Sequence, residues 1–209
     1  MTLETIAELK SYHSGVRPQI KARLNEFEEA GHGSADEIFK EMCFCVLTAN
    51  TSAEMCIRAV DAAGDAMLRG DVAKISAALR GCGYRYPNKR AEYIAYNREH
   101  SPDIAGKTVS CTDKQKLREY LVKNVKGLGY KEASHFMRNI GFKGFAILDK
   151  HILSTLAEFN VISENRPPKN RQEYLEIEGK MKRFAEDIGI DMDELDLLLW
   201  SRKTGKILK

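Results

Sequence analysis

The 209-residue chain is expected to fold as an all-α protein. Apolar residues recur at helical spacing nearly throughout, no sustained alternating run flanked by hairpin turns is present, and helix start and stop signals recur along the chain. A first segment begins near Pro18 and is stopped by Gly31. Ser34 with Glu37, Thr51 with Glu54 and Thr112 with Gln115 each stand three residues apart. At that spacing a hydroxyl and a carboxylate or amide satisfy the unpaired N–H groups of a helix start, which predicts helices near 35–49, 52–63 and 113–123. Asp71 to Arg80 reads as a further helix closed by "GCG", and Asn88 to His100 as another that stops before Pro102. Residues 101–111 and "ENRPPKN" at 164–170 are expected to be loops. Lys131 to Ile140 forms a helix closed by Gly141, Asp149 caps the next, and segments near 170–188 and 191–203 complete the set.

Composition excludes several classes of function. With 43% hydrophobic and 30% charged residues the chain reads as a soluble globular protein, and its net charge of +3 is too small to mark a nucleic-acid binder by itself. Local clusters carry more. "SRKTGKILK" holds Arg202, Lys203, Lys206 and Lys209 without an acid, and Arg80, Arg85, Lys89, Arg90 and Arg98 interleave with Tyr84, Tyr86, Tyr93 and Tyr96. Such runs are also what a solvated face looks like. No apolar stretch reaches the roughly eighteen residues of a membrane span, and "MTLETIAELK" lacks the pattern of a signal peptide, so a cytosolic protein without membrane contact is expected. Cys43, Cys45, Cys56, Cys82 and Cys111 are odd in number, form no C-x-x-C, and read as buried free thiols. With no cysteine beyond Cys111 and no paired histidines, neither a zinc ribbon, a C-terminal iron–sulfur cluster, a catalytic metal nor a cofactor is expected.

The residues best suited to chemistry lie in "VKNVKGLGYKEASHFMRNIG". The segment reads as helix, tight Gly127-Leu128-Gly129 turn, helix, and the turn with its flanking Lys126 offers N–H groups and charge to a phosphate. Lys131 follows at the start of the second helix, and Asp149 stands eighteen residues further on. A lysine attacks carbon only as the free amine, and at its ordinary pKa about one molecule in 2,500 is deprotonated at pH 7. Burial, nearby positive charge and a helix N-terminus would each raise that fraction. Phosphate neutralisation accounts equally well for Lys131, and an ordinary helix N-cap for Asp149. The two roles of Asp149 are compatible, because a capping carboxylate held ionised and in place also suits stabilisation of a cationic sugar.

"VKGLGYKEASHFMRNIGF" followed by "AILDKHI" resembles the hairpin and Gly/Pro-Asp loop of the helix-hairpin-helix DNA glycosylase superfamily, including the Lys-to-Asp interval, although "GFKGFAILD" lacks the family's proline. "CVLTANTSA" is similar to the family's DNA-wedge loop, and "GCGYRYPNKRAEYI" to its Gly-aromatic-x-x-Lys-Ala segment. The C-terminal "LDLLLWSRKTGKILK" is similar to the small archaeal and bacterial 8-oxoguanine DNA glycosylase/AP lyase branch. The resemblance implies that Lys131 attacks C1′ of the damaged nucleotide, expels the base and leaves a Schiff base. Asp149 would stabilise the sugar cation and help Lys131 lose its proton, and β-elimination would nick the strand. It also implies that Asn50 fills the gap left by the extruded base, where a polar C-cap is the simpler role. Trp200 would stand against the base and Lys209 at its polar edge, where the chain end would add a carboxylate, with Phe145 and Met137 as apolar contacts. Core packing is the plain alternative for Trp200, and for Phe145 and Met137 it is the simpler role. Arg85, Lys89, Lys126, Gly127 and Gly129 would grip DNA. A monovalent or calcium ion would sit on the carbonyls of Val122, Val125 and Leu128.

The expected architecture is thus two helical lobes, 31–143 with the hairpin and 1–30 plus 144–209, with an active-site cleft between them. The expected protein is a monomeric enzyme acting on 8-oxoguanine in double-stranded DNA, associated with the nucleoid in the cytoplasm. Three alternatives remain at this point: the same fold acting on another damaged or mispaired base, a non-catalytic hairpin module that only grips DNA, and a structural helical adaptor with Trp200 and the basic tail as a protein interface.

Overall fold

The computed structural model describes residues 3–209, with side chains for 5–108 and 110–209. Among these residues it contains eleven helices and no strand. They divide into two units, one of Met1–Glu28 with Gly141–Lys209 and one of Glu29–Ile140.

The second unit contains α2 (Ala35–Leu47), α3 (Ala53–Arg69), α4 (Val72–Gly81), α5 (Pro87–Glu99), α6 (Ser101–Ser110), α7 (Lys114–Asn124) and α8 (Tyr130–Asn139). Its core is built from Phe44, Leu47, Cys56, Met67, Ile75, Leu79, Ile94, Leu117, Leu121 and Phe136, all fully buried. Each such side chain removed from water contributes about 1.5–3 kcal/mol, so the core outweighs any single cap or ion pair. The Ser34–Glu37 capping box forms as expected: Ser34 N–H donates to Glu37 Oε2 at 2.7 Å, and Glu37 N–H donates to Ser34 Oγ at 3.3 Å. The other two starts fall one residue later than expected. Ser52, not Thr51, caps α3 by accepting from Met55 N–H, and Asp113, not Thr112, caps α7 by accepting from Gln115 and Lys116 N–H. In both places it is the downstream side chain that reaches the unpaired amides of the first turn. Residues 101–110 are helical rather than a loop, because Pro102 lies within the first turn of α6, where its missing N–H has no intrahelical partner to lose.

The first unit contains most of α1 (Leu3–Gly31), α9 (Lys150–Glu158), α10 (Arg171–Ile188) and α11 (Met192–Thr204). Helix α1 ends at Gly31 as expected but begins well before Pro18, which lies inside it. Leu9, Ile20 and Phe27 of this helix are buried, and that packing offsets the one backbone hydrogen bond a proline removes. "ENRPPKN" at 164–170 is irregular, as expected.

The segment entering α9 is also irregular although Phe145–Leu148 are buried, so its amides need partners. Three buried carboxylates supply them. Asp193 accepts from Gly144 N–H at 2.9 Å, Glu178 from Ala146 N–H at 3.1 Å and Asp196 from Ile147 N–H at 3.0 Å. Tyr174 O–H donates to the Ala146 carbonyl at 2.6 Å. This loop lacks proline and is held by side chains from α10 and α11, and Asp149 is the residue so delivered.

A fourth acid, Glu194, binds back to α1. His13 Nε2 lies 2.6 Å and Arg17 Nε 3.0 Å from Glu194 Oε2, and Glu194 is buried. Burial pushes its carboxyl up, but the bonds from Arg17 and His13 outweigh that and hold it below the ordinary carboxylate value. A carboxylate depressed in the folded state adds stability above its unfolded pKa and loses it as pH falls through the folded value. In urea unfolding, the stability advantage of the native protein over Glu194→Gln is therefore expected at neutral pH and should close as pH drops below about 4.5. A gap independent of pH would show that the ion pairs contribute nothing.

Candidate nucleotide-processing site

Helix α7 and helix α8 flank the Val125–Gly129 turn, and together they form the expected helix-hairpin-helix. Val125 N–H closes the last turn of α7 on the Leu121 carbonyl at 2.9 Å, and Leu128 N–H returns to the Val125 carbonyl at 3.3 Å. Gly127 has φ +91°, and a Cβ there would stand 2.8 Å from Tyr93 and 3.2 Å from Val46, so only glycine fits. Buried Asn97 grips the same turn from α5: its Nδ2 donates to the Lys126 carbonyl at 2.9 Å, and its Oδ1 accepts from Lys126 N–H at 2.8 Å. The amide of Lys126 is thus occupied by protein, while its ammonium lies 3.5 Å from the centre of the Tyr96 ring. The carbonyls of Val122, Val125 and Leu128 stand in the last turn of α7 and in the turn itself. The Val122 carbonyl, in that last turn, lacks an intrahelical donor, and the Val125 carbonyl, which accepts from Leu128 N–H, keeps a second lone pair, so this stretch suits a cation bound by main-chain oxygen.

Lys131 lies in the first turn of α8, a quarter exposed, with its Nζ 3.0 Å from Glu132 Oε1. Glu132 Oε2 accepts from Gly129 N–H at 3.1 Å. The neighbouring thiol of Cys56 is fully buried, and burial pushes it up to about 12 against the smaller opposing pull of the Lys131 and Arg90 charges, so it stays neutral. Beside the amine there is therefore a carboxylate, a neutral thiol and the N-terminal end of a helix. Cys43 and Cys45 are likewise buried and free, whereas Cys82 and Cys111 are only half-buried.

Asp149 caps α9: its Oδ1 accepts from His151 N–H at 2.8 Å and from Ile152 N–H at 2.9 Å. Both cap bonds use one oxygen, and the side chain is half-buried. In the same unit, Trp200 is half-buried rather than core, and the ring of His151 meets it edge-on with centroids 6.4 Å apart. Phe145 and Met137, expected as base contacts, are buried in the cores of their respective units. Lys209 is half-buried.

Asn50 is not the cap of α2; Thr48 is. Asn50 is exposed and has φ +62°, a left-handed conformation that asparagine tolerates better than most residues. Its loop is tied down from behind, by Tyr84 O–H donating to the Leu47 carbonyl at 2.6 Å and Arg90 Nη2 to the Ala49 carbonyl at 3.4 Å. The basic-aromatic cluster of the sequence accordingly splits in two. Arg90 and Arg98 bond main-chain carbonyls, Arg80 bonds Asn88, and buried Tyr84 braces the loop, whereas Arg85 and Lys89 are exposed. Arg85 stacks over Tyr86 at 5.0 Å, and Lys89 lies 2.9 Å from Glu92 and 5.1 Å from the Tyr93 ring. In the tail, Arg202 and Lys203 both pair with Glu158, and the Lys203 bond is the main cause of a Glu158 carboxyl below its ordinary value.

Sequence reasoning missed Asn97, Glu132, Tyr174, Glu178, Asp193 and Asp196. Only Glu132 had a local signal, the three-residue spacing from Gly129. The others act on backbone about thirty to fifty residues away, where no spacing rule reaches.

The family model described as 8-oxoguanine DNA glycosylase matches residues 20–190. The 8-oxoguanine DNA glycosylase/AP lyase of Korarchaeum cryptofilum is 46% identical over 196 residues, covering 94% of this chain and 93% of that protein. The protein of the same description from Methanocaldococcus jannaschii is 42% identical over 209 residues, covering 100% of both. The crystal structure of the M. jannaschii 8-oxoguanine glycosylase/lyase in complex with a 15mer DNA containing 8-oxoguanine matches with a TM-score of 0.93 at 39% identity, over 99% of this chain and 100% of that one. With the hairpin in place and this likeness along nearly its whole length, the chain belongs to the helix-hairpin-helix 8-oxoguanine DNA glycosylase family.

Proposed function

We propose that this protein is a bifunctional DNA glycosylase/AP lyase that removes 8-oxoguanine from double-stranded DNA, with Lys131 as nucleophile and Asp149 as its electrostatic partner. The observation that carries the assignment of roles is Lys131 itself. A partly shielded amine, held at a helix start next to a turn built to approach a phosphate, stands where an exposed phosphate-neutralising lysine would not be restrained.

In this mechanism the neutral amine of Lys131 attacks C1′ of the extruded nucleotide. The bond from C1′ to the base nitrogen breaks and the base leaves with its electron pair. The Asp149 carboxylate stabilises the positive charge that develops on the sugar and takes up the proton shed by the lysine nitrogen. The C1′–O4′ bond then breaks, O4′ leaves with its electron pair and takes the proton held by Asp149, and a protonated imine remains between Lys131 and C1′. Loss of a proton from C2′ then expels the 3′ phosphate by β-elimination. Asn50 fills the gap in the base stack, which suits its exposure on a loop braced from behind. Arg85, Lys89 and Lys126 hold the backbone through their side-chain charges, and Gly127 and Gly129 by letting the phosphate approach a turn whose Lys126 and Gly129 amides are already taken by Asn97 and Glu132, with a cation on the hairpin carbonyls neutralising phosphate charge. Trp200 and Lys209 read the base, the tryptophan ring being oriented by His151. Phe145 and Met137, both buried, add apolar packing behind the base. We further propose that the enzyme acts as a monomer, in the cytoplasm and on the nucleoid. No described helix is long and apolar enough to cross a membrane.

The test is a panel of duplexes, each with one lesion and each of the four opposing bases, scored separately for base release and strand nicking. The expected result is release and nicking at 8-oxoguanine well above oxidised pyrimidine or mispaired adenine. Preference for either of the latter would reassign the substrate while keeping the chemistry. DNA binding with neither release nor nicking would reduce the protein to a gripping module.

A further inference from the structure

Glu132 has no part in the mechanism above, yet it touches both functional groups at the start of α8. Its Oε2 accepts from Gly129 N–H at 3.1 Å and its Oε1 lies 3.0 Å from Lys131 Nζ. The contact is unusual in its geometry, because adjacent residues on a helix point about 100° apart and do not ordinarily meet. It forms because Glu132, the third residue of the helix, folds back over the N-terminus to close half a capping box on Gly129. Lys131 must turn the same way to reach it. The carboxylate is only 13% exposed, and one of its oxygens is tied to the backbone, so it is a fixed anchor rather than a mobile surface acid. The amine is thereby held over the hairpin turn instead of sweeping through solvent on its four-carbon stem.

We propose that Glu132 is the positioning residue for Lys131, registering the amine against the backbone of the same turn that binds the phosphate. This rests on the reading of Lys131 as nucleophile. Its consequence is that a phosphate seated on the hairpin and the C1′ it carries meet an amine whose position is already set, so the entropy of placing the lysine is not lost during attack.

Glu132→Gln separates this role from capping. Glutamine also closes a capping box, and its amide oxygen can accept Gly129 N–H, but its other terminal atom is a donor and cannot hold an ammonium. Under single-turnover conditions with saturating abasic-site duplex, borohydride trapping by Glu132→Gln is expected to slow by about tenfold or more, with duplex affinity and melting temperature as in the native protein. Trapping within about twofold of the native rate, or faster, at unchanged melting temperature would overturn the proposal and leave Glu132 a cap only. Lys131→Gln is run alongside. If it traps nothing while Glu132→Gln traps normally, the positioning role alone fails; if it still traps, the nucleophile is misassigned and the positioning role falls with it. Should Glu132→Gln fail to fold, ¹⁵N relaxation of the lysine ammonium groups in the unaltered protein decides. An Nζ of Lys131 reorienting more slowly than those of exposed Lys180 and Lys182 supports the anchor, and equal mobility overturns it.

Discussion

Lys131→Gln is expected to abolish the borohydride-trapped covalent complex and to lower strand nicking on the order of 10⁴-fold or more, the scale at which loss of a covalent nucleophile registers. In the proposed mechanism Lys131 supplies the nitrogen of the imine from which β-elimination proceeds, and without that imine the 3′ phosphate has no electron sink to leave against. Stability should hardly move. Lys131 is a quarter exposed and its one described ion pair is to Glu132, so its loss costs less than about 1 kcal/mol. Circular dichroism melting and duplex binding at low salt should therefore match the native protein, and gel-resolved trapping should be blank. A trapped adduct that survives the substitution would move the nucleophile to another residue.

Substitution of Asp149 by asparagine and by alanine separates its two roles. Asparagine caps a helix about as well as aspartate, and its side-chain oxygen can still accept from His151 and Ile152 N–H, so Asp149→Asn should unfold within about 0.5 kcal/mol of the native protein. It removes the charge, however, and base release should fall by about 10²–10³-fold, the usual effect of losing one preorganised electrostatic group. Asp149→Ala loses the cap as well, adding a destabilisation of about 1 kcal/mol. The decisive comparison is rate against melting temperature across the pair. Base release within a few-fold of native in Asp149→Asn would leave the carboxylate a cap and nothing more.

Much of the site was legible in the chain because its parts are local. The hairpin announces itself through Gly127 and Gly129, since a tight turn against Tyr93 and Val46 admits no side chain at Gly127. Asp149 announces itself as a cap through the helix that follows it. The misplaced helix starts at 51 and 112 are failures of the same local rule, in places where two candidate acceptors stand side by side and only the path of the chain chooses between them. The loop expected at 101–111 failed differently. Proline marks a helix start as readily as a helix end, and Pro102 is a start.

The sequence by itself determined the helical class, the hairpin, the lysine in the first turn of its second helix, the aspartate that caps α9, and the absence of the cysteines a C-terminal cluster would require. These follow from periodicity and capping, which act over one or two turns of chain. Only the tertiary structure decided that Asn97 clamps Lys126, that Tyr84 and Arg90 brace the Asn50 loop, that three acids from α10 and α11 hold the segment leading to Asp149, and that Phe145 and Met137 are core. A buried amide must find an acceptor wherever the fold brings one, and burial itself is a property of packing; neither leaves a mark at fixed spacing along the chain.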